Sequence, residues 1–98
     1  MRTMGQLFFS SSSESIELDD RTLAHVEIVI LAKLRRKESF AITHHAEDGG
    51  RETVWLSPTS ALRFRYTVGQ HEIDREWLEQ LIDGANSAGG IQLGNKPA

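Results

Sequence analysis

The chain of 98 residues has the length of one small domain, and its 39% hydrophobic and 26% charged residues are ordinary for a soluble globular protein. It contains no Cys, which excludes disulfides, thiolate zinc sites and iron–sulfur clusters. The formal net charge of −3 excludes a strongly basic protein that binds nucleic acid through its overall charge. We therefore expect a single domain over residues 1–98, with residues 1–3 and 95–98 as loose ends.

No segment of the sequence has the pattern of a membrane span or of a targeting signal. The longest apolar run, Val26 to Leu34, is interrupted by Glu27 and Lys33 and is far shorter than a membrane-spanning helix. Near the start of the chain the apolar stretch is only Leu7-Phe8-Phe9, too short for a signal peptide. We expect a cytoplasmic protein that does not contact a membrane.

The first part of the chain predicts two strands followed by a helix. Residues 5–9 and 15–18 have the composition of paired strands. The pair Asp19-Asp20 is suited to cap a helix, since a carboxylate accepts hydrogen bonds from free backbone N–H groups and favours the positive end of the helix dipole. The helix is predicted over residues 21–37, which contain neither Gly nor Pro. Its apolar stripe at helical spacing is Leu23, Val26, Ile30 and Leu34.

The second part of the chain predicts three more strands and a second helix. Alternating apolar residues indicate strands over 40–45, 52–56 and 61–67. Asp74 is placed to cap a helix over 75–87, and residues 91–93 are a candidate last strand. The element order is β-β-α-β-β-β-α, with or without the last strand. The predicted fold class is α+β: a mainly antiparallel sheet with two helices on one face. The order of the strands in that sheet stays open.

The sequence contains no motif that specifies a catalytic reaction. Gly84 and Gly89 have the outer spacing of a phosphate-binding P-loop, but Gly90-Ile91 stands where that loop needs Lys and Ser or Thr. Adjacent His44 and His45 on a strand point to opposite faces, so they do not easily bind one metal. We assign no catalytic, cofactor-binding or metal-binding residue and expect no cofactor. Whether the protein is an enzyme stays open, although nothing in the sequence favours it.

Basic side chains form the most suggestive polar pattern. Some cluster at the end of the first predicted helix, and others lie on the solvent side of the strand over 61–67. Such surfaces bind phosphate groups in nucleic-acid-binding proteins. The simpler interpretation is a helix end that matches its dipole and a solvated strand face. The candidate nucleic-acid surface comprises Lys33, Arg35, Arg36, Lys37, Arg63 and Arg65.

The first predicted helix is more apolar than one buried stripe requires. A surface helix of a small domain normally keeps its outer side polar. Either the second helix or another subunit has to cover the additional apolar residues. We therefore expect a homodimer that also binds a protein partner. The candidate dimer contact comprises Ala24, Ile28, Val29 and Ala32.

Several short motifs make the chain similar to a family of short actinobacterial proteins of unknown function. These motifs are Met4-Gly-Gln-Leu-Phe-Phe, Asp20-Arg-x-Leu-Ala-His25, Lys33-Leu-Arg-Arg-Lys-Glu-Ser-Phe40, Trp55-Leu-x-Pro58, Leu62-Arg-Phe64 and Asn86-Ser-Ala-Gly-Gly-Ile91. The resemblance extends from Met4 to about Leu93. It implies a family identity and no mechanism.

Members of the family that the chain resembles are sometimes labelled ATP-dependent DNA ligase. Such ligases adenylate a Lys in a Lys-x-Asp-Gly motif, whereas Lys33 precedes Leu-Arg-Arg and Lys37 precedes Glu-Ser-Phe. The chain therefore does not resemble a stand-alone ligase. Our first hypothesis is a non-catalytic interaction module that self-associates. The alternative is a nucleic-acid-binding or ligase-associated accessory domain that uses the surface formed by Lys33–Lys37, Arg63 and Arg65.

Overall fold

A computed structural model describes residues 3–9, 15–46, 48–68 and 71–94. The predicted α+β class and the predicted element order are confirmed, and the candidate last strand is present. The two expected loose ends are residues 1–3 and 95–98. Of these only Thr3 is described, and residues 1–2 and 95–98 lie outside the described residues. In chain order the elements are β1 (Met4–Phe9), β2 (Ser15–Asp19), α1 (Asp20–Arg35), β3 (Phe40–His45), β4 (Arg51–Leu56), β5 (Leu62–Arg65), α2 (Arg75–Ala85) and β6 (Ile91–Gly94).

The described strands divide into two three-stranded sheets. The first sheet has the order β2-β1-β5, and both of its pairings are antiparallel. The second sheet has the order β4-β3-β6, in which β4 is antiparallel and β6 parallel to β3. The parallel pair arises because the chain leaves the second sheet after β4, contributes β5 to the first sheet and returns through α2. Such a crossover connection is what a parallel pair requires.

The helix α1 packs closely against the first sheet. A Cβ atom at Gly5 of β1 would lie 2.6 Å from Asp20 Oδ1 and 2.8 Å from Leu23 Cδ2, so only Gly fits this close approach. The predicted stripe is confirmed, since Leu23, Val26 and Ile30 are fully buried and Leu34 packs at the edge of the core. The buried hydrophobic core is formed by Leu7, Ile16, Leu18, Leu23, Val26, Val29, Ile30, Phe40, Ile42, Leu56, Leu81, Ala85, Ile91 and Leu93.

The helix α2 begins where the sequence places it, α1 begins one residue before its predicted start, and both helices end two residues before their predicted ends. Asp19 caps α1 by accepting hydrogen bonds from the N–H groups of Arg21 and Thr22, at 2.8 and 3.2 Å. At the other end Lys37 adopts a φ of 61°, which no helix continues. The Asp74 carboxylate caps α2 through the N–H group of Trp77. None of the described helices is long and apolar enough to cross a membrane.

Candidate functional site

At the basic end of α1, Lys33 forms an ion pair and a hydrogen bond within the chain. Lys33 Nζ lies 2.9 Å from Glu38 Oε1 and donates a hydrogen bond of 2.7 Å to Asn86 Oδ1. Only 12% of the Lys33 side chain is exposed. Lys33 therefore ties the end of α1 to the segment after α2. Its predicted neighbours on the candidate nucleic-acid surface, Arg35, Arg36 and Lys37, are exposed.

The two arginines of β5 lie on the opposite side of the first sheet from α1. In register, Arg63 pairs with Phe8 and Arg65 with Gln6 of β1, whereas α1 packs against the side that carries Gly5. The Arg63 guanidinium lies 4.3 Å from the centroid of the Phe8 ring, a cation–π contact. The structure therefore does not bring the six predicted basic residues together on one surface.

The exposed side of α1 is apolar, but its composition differs from the prediction. Val29 is only 1% exposed and belongs to the core, so including it in the dimer contact was wrong. Leu31 takes its place, since it is 41% exposed beside Ile28 at 40%. At 100° per residue Leu31 lies about 20° from Ala24, whereas Val29 points toward the interior. We define the α1 exposed face as Ala24, Ile28, Leu31 and Ala32.

The N-terminus of α2 covers one flank of α1 at His25. The His25 Nε2 atom accepts a hydrogen bond of 2.8 Å from the Asp74 N–H group. The Nδ1 atom therefore carries the proton and donates it to the Arg21 carbonyl oxygen at 2.7 Å. The buried imidazole stacks on Trp77 with 4.3 Å between ring centroids. Arg21 lies 5.3 Å from the same indole ring. His25 is therefore a fully buried residue that joins the two helices.

Asp20, at the start of α1, is a fully buried carboxylate. It accepts hydrogen bonds from the N–H groups of Val68 at 2.8 Å and Thr67 at 3.1 Å. Burial alone raises the pKa of this carboxyl, but the Val68, Thr3 and Thr67 bonds and nearby His71 outweigh it and hold the pKa below its ordinary value of 3.8. Because every partner belongs to the chain itself, Asp20 anchors the segment after β5 and is a structural residue.

An open cleft of about 1130 Å³ lies between the two sheets, and no local pattern in the sequence indicates it. One wall is α2, which contributes residues at helical spacing, among them Trp77, Leu81 and Gly84. The other walls are the chain around β2, the last residues of β3, and β6. The described lining residues are Met4, Glu17, Leu18, Asp19, Thr22, His44, His45, Ala46, Asp48, Trp77, Gln80, Leu81, Gly84, Ser87, Gly90, Ile91, Gln92 and Leu93.

The polar side chains of the cleft are carboxylates, amides, imidazoles and the hydroxyls of Thr22 and Ser87. His45 Nε2 lies 2.9 Å from Gln92 Oε1, and Gln92 Nε2 donates a hydrogen bond to the Gly89 carbonyl oxygen. The two adjacent histidines are in register with different partners, His44 with Glu52 and His45 with Arg51. Over the described ranges, no three His, Asp or Glu side chains converge as a metal site. The arrangement suits the binding of a ligand through hydrogen bonds and charge.

A family model described as a domain of unknown function, DUF7882, matches residues 4–96. The chain belongs to the DUF7882 family. The match includes all eight elements of the DUF7882 domain described above. The expectation that a family of unknown function spans nearly the whole chain is confirmed. No curated protein matches the chain, and no solved structure matches it.

Proposed function

We propose that this DUF7882 domain is a non-catalytic interaction module that self-associates through the α1 exposed face. The observation that carries the proposal is the exposure of Ile28 and Leu31, at 40% and 41%, in the middle of a helix whose other sides are buried. No element of the described part of the chain covers them. Adjacent apolar residues on one helix face are typical of a protein–protein contact.

The shape of this face supports a second copy of the chain as the occupant. Ala24 and Ala32 each lie four residues from Ile28, one turn on either side. In an antiparallel pair with its two-fold axis beside Ile28, Ala24 of one copy faces Ala32 of the other. Small residues on both sides allow the two helices to approach closely around the central Ile28 pair. The face is therefore complementary to itself, as a two-fold contact requires.

The charges around the face predict how the contact responds to salt. In the antiparallel pair Arg21 of one copy lies near Arg35 of the other, because each is seven residues from Ile28. The charge of Arg21 is partly balanced by Asp74 at 3.9 Å, and Glu27 is occupied by a 2.5 Å hydrogen bond from the Tyr66 hydroxyl. The remaining repulsion is between exposed cations, which salt screens. Self-association is therefore stronger at high salt.

A matched pair of substitutions tests the proposal by sedimentation velocity. Ile28→Glu places a charge in the contact, and we expect a folded monomer where the parent chain forms a dimer. Ile82→Glu is the control, since Ile82 is 39% exposed but lies on α2. Circular dichroism establishes that both variants are folded. A parent chain that is monomeric at several hundred micromolar, or a dimer that Ile28→Glu leaves intact, contradicts the proposal.

The alternative function, nucleic-acid binding by a ligase-associated accessory domain, has one favourable observation. Arg63 and Arg65 are exposed on the open side of the first sheet, and Arg63 lies over the Phe8 ring. Binding through phosphates weakens steeply with salt, opposite to the self-association proposed above. A salt titration with single- and double-stranded DNA separates the two. Arg63→Ala/Arg65→Ala tests the sheet, and Arg35→Ala/Arg36→Ala tests the helix end. For the surface that binds DNA, the double substitution should lower the dependence of log K on log salt concentration by about two phosphate contacts.

A further inference from the structure

The cleft lies between two strands that are each at the edge of a sheet. β2 is an edge strand of the first sheet and β6 an edge strand of the second. Consecutive residues of both strands line the cleft: Glu17, Leu18 and Asp19 of β2, and Ile91, Gln92 and Leu93 of β6. Side chains alternate between the two faces of a strand. A run of consecutive lining residues therefore indicates that the backbone edge itself borders the cleft.

A backbone edge of this kind offers main-chain hydrogen bonds to an extended peptide, which adds to the sheet as a further strand. The size of the cleft is consistent with such an occupant. Its volume of about 1130 Å³ exceeds the roughly 300–1000 Å³ of pockets that enclose small molecules. Its open shape also suits a chain segment that enters and leaves.

The charge of the cleft selects the kind of peptide. Its described lining contains three carboxylates, Glu17, Asp19 and Asp48, and no Lys or Arg. Asp19 and Asp48 each accept a backbone N–H hydrogen bond at Oδ1. Neither of these bonds uses Oδ2. Trp77, Gln80 and Gln92 supply an aromatic surface and amide groups along the same cleft. Such a lining is complementary to a cationic side chain.

We propose that the cleft binds an extended segment of a partner protein that carries an Arg or Lys side chain. The segment forms main-chain hydrogen bonds with the edge of β2 or β6, and its cation lies among Glu17, Asp19 and Asp48. None of the residues of the α1 exposed face lines the cleft. This binding is therefore independent of the self-association proposed above, and either can fail without the other.

Fluorescence of Trp77 gives a direct readout of binding. The chain contains two Trp, and Trp55 lies on β4 outside the cleft lining. Trp55→Phe therefore leaves Trp77 as the single Trp of the chain. The probe is a peptide of about ten residues in which Ser and Val alternate and two central positions are Arg. We expect a saturable change in Trp77 emission, and about tenfold weaker binding when citrulline, which has the shape of Arg without its charge, replaces both arginines.

Charge reversal inside and outside the cleft locates the binding site. In the Trp55→Phe background, Glu17→Lys should weaken binding of the Arg peptide about tenfold. Glu79→Lys, the same change on an exposed residue of α2 that does not line the cleft, should leave it within about twofold. N-methylation of alternate peptide bonds tests the main-chain hydrogen bonds and should abolish binding.

Four results overturn the proposal. These are no change in Trp77 emission up to millimolar peptide, equal binding of the Arg and citrulline peptides, equal effects of Glu17→Lys and Glu79→Lys, and equal binding of free arginine amide, which would indicate a small-cation site. Circular dichroism of each variant verifies its fold. Glu17→Gln, which removes the charge without reversing it, gives a second measurement if Glu17→Lys does not fold.

Discussion

The imidazole of His25 stacks on the indole of Trp77, with 4.3 Å between the ring centroids. This contact joins the two helices where α2 begins, and it affects both proposed surfaces. It covers one flank of α1, which limits the exposed apolar area to the opposite side. It also fixes Trp77 at the wall of the cleft. The position of one buried histidine thus separates the proposed surface for a second copy from the proposed peptide-binding cleft.

Replacement of His25 should therefore destabilise the whole domain. His25→Ala removes the stacking contact and leaves the Asp74 N–H group without its acceptor, at a cost of about 2–4 kcal/mol in the free energy of unfolding. The measurement is urea unfolding followed by circular dichroism. His45→Ala is the control, since His45 is half-buried and bonds to an exposed Gln92, and it should cost under about 1 kcal/mol. Equal losses for the two variants would contradict this role of His25.

The buried carboxylate of Asp20 should give the domain an acid-sensitive stability. Its pKa in the folded chain is below the ordinary 3.8, so the folded state favours the ionised form. The resulting stabilisation is present above pH 4 and is lost as the pH falls from about 4 through the folded-state pKa. Asp20→Asn should lower the free energy of unfolding at pH 7 by about 1–3 kcal/mol.

The dependence on pH separates this effect from a simple loss of packing. The difference in stability between the parent and Asp20→Asn should shrink as the pH is lowered below 4, when measured by urea unfolding at each pH. Asp83→Asn on the exposed side of α2 is the matched control and should leave stability within about 0.5 kcal/mol of the parent. A constant difference from pH 7 to pH 2 would refute the assignment.

Two glycines with positive φ should differ sharply in their tolerance of Ala. Gly49 has a φ of 95° and no atom within 4 Å of the position of a Cβ, whereas at Gly90, with a φ of 73°, a Cβ would lie 2.2 Å from the Ala41 carbonyl oxygen. Gly49→Ala should cost only the strain of the backbone, about 1–2 kcal/mol. Gly90→Ala adds a clash where β6 begins beside β3. Its decrease in the free energy of unfolding, measured with urea, should therefore be clearly larger than that of Gly49→Ala. Similar losses would contradict the described packing of Gly90.

Incubation with ATP should leave no nucleotide attached to the chain. No Lys stands in a Lys-x-Asp-Gly motif, and Lys33 is occupied by Glu38 and Asn86. Intact-mass spectrometry after incubation with ATP and a divalent cation should give the mass of the unmodified chain. An added mass of one AMP, located on a lysine, would refute this prediction and reopen the ligase label.

Local signals in the sequence predicted the elements well, because each depends on neighbouring residues. Asp19 and Asp74 cap the two helices as expected from side chains that accept backbone N–H groups. The apolar stripe of α1 follows the helical period, as predicted. The misplacement of Val29 and the omission of Leu31 arose where α1 is buried on more than one side. A helical wheel gives the angular position of each residue, but it does not show how much of the helix circumference the rest of the chain buries.

The arrangement of the sheets and the cleft could not be predicted, because both depend on contacts between distant parts of the chain. Nothing near β6 in sequence indicates that it pairs in parallel with β3. Glu17 of β2 and Gln92 of β6 line one cleft although 75 residues separate them along the chain. For the six basic residues the sequence pattern and the structure differ in the opposite way. They are suggestive in sequence, but the first sheet separates Arg63 and Arg65 from the end of α1.

Sedimentation velocity of the parent chain at low and high salt tests the central claim, self-association through the α1 exposed face, most directly. A contact built from four side chains of one helix should be smaller than the standard interface of about 800 Å² per partner, so we expect dissociation in the micromolar range. Raising the salt from about 50 to about 500 mM screens Arg21 from Arg35 of the second copy and should shift the equilibrium toward dimer. Ile28→Glu should remain monomeric at both salt concentrations. A parent chain that sediments as a monomer at every concentration and salt, or a dimer that dissociates as salt is raised, would contradict the account.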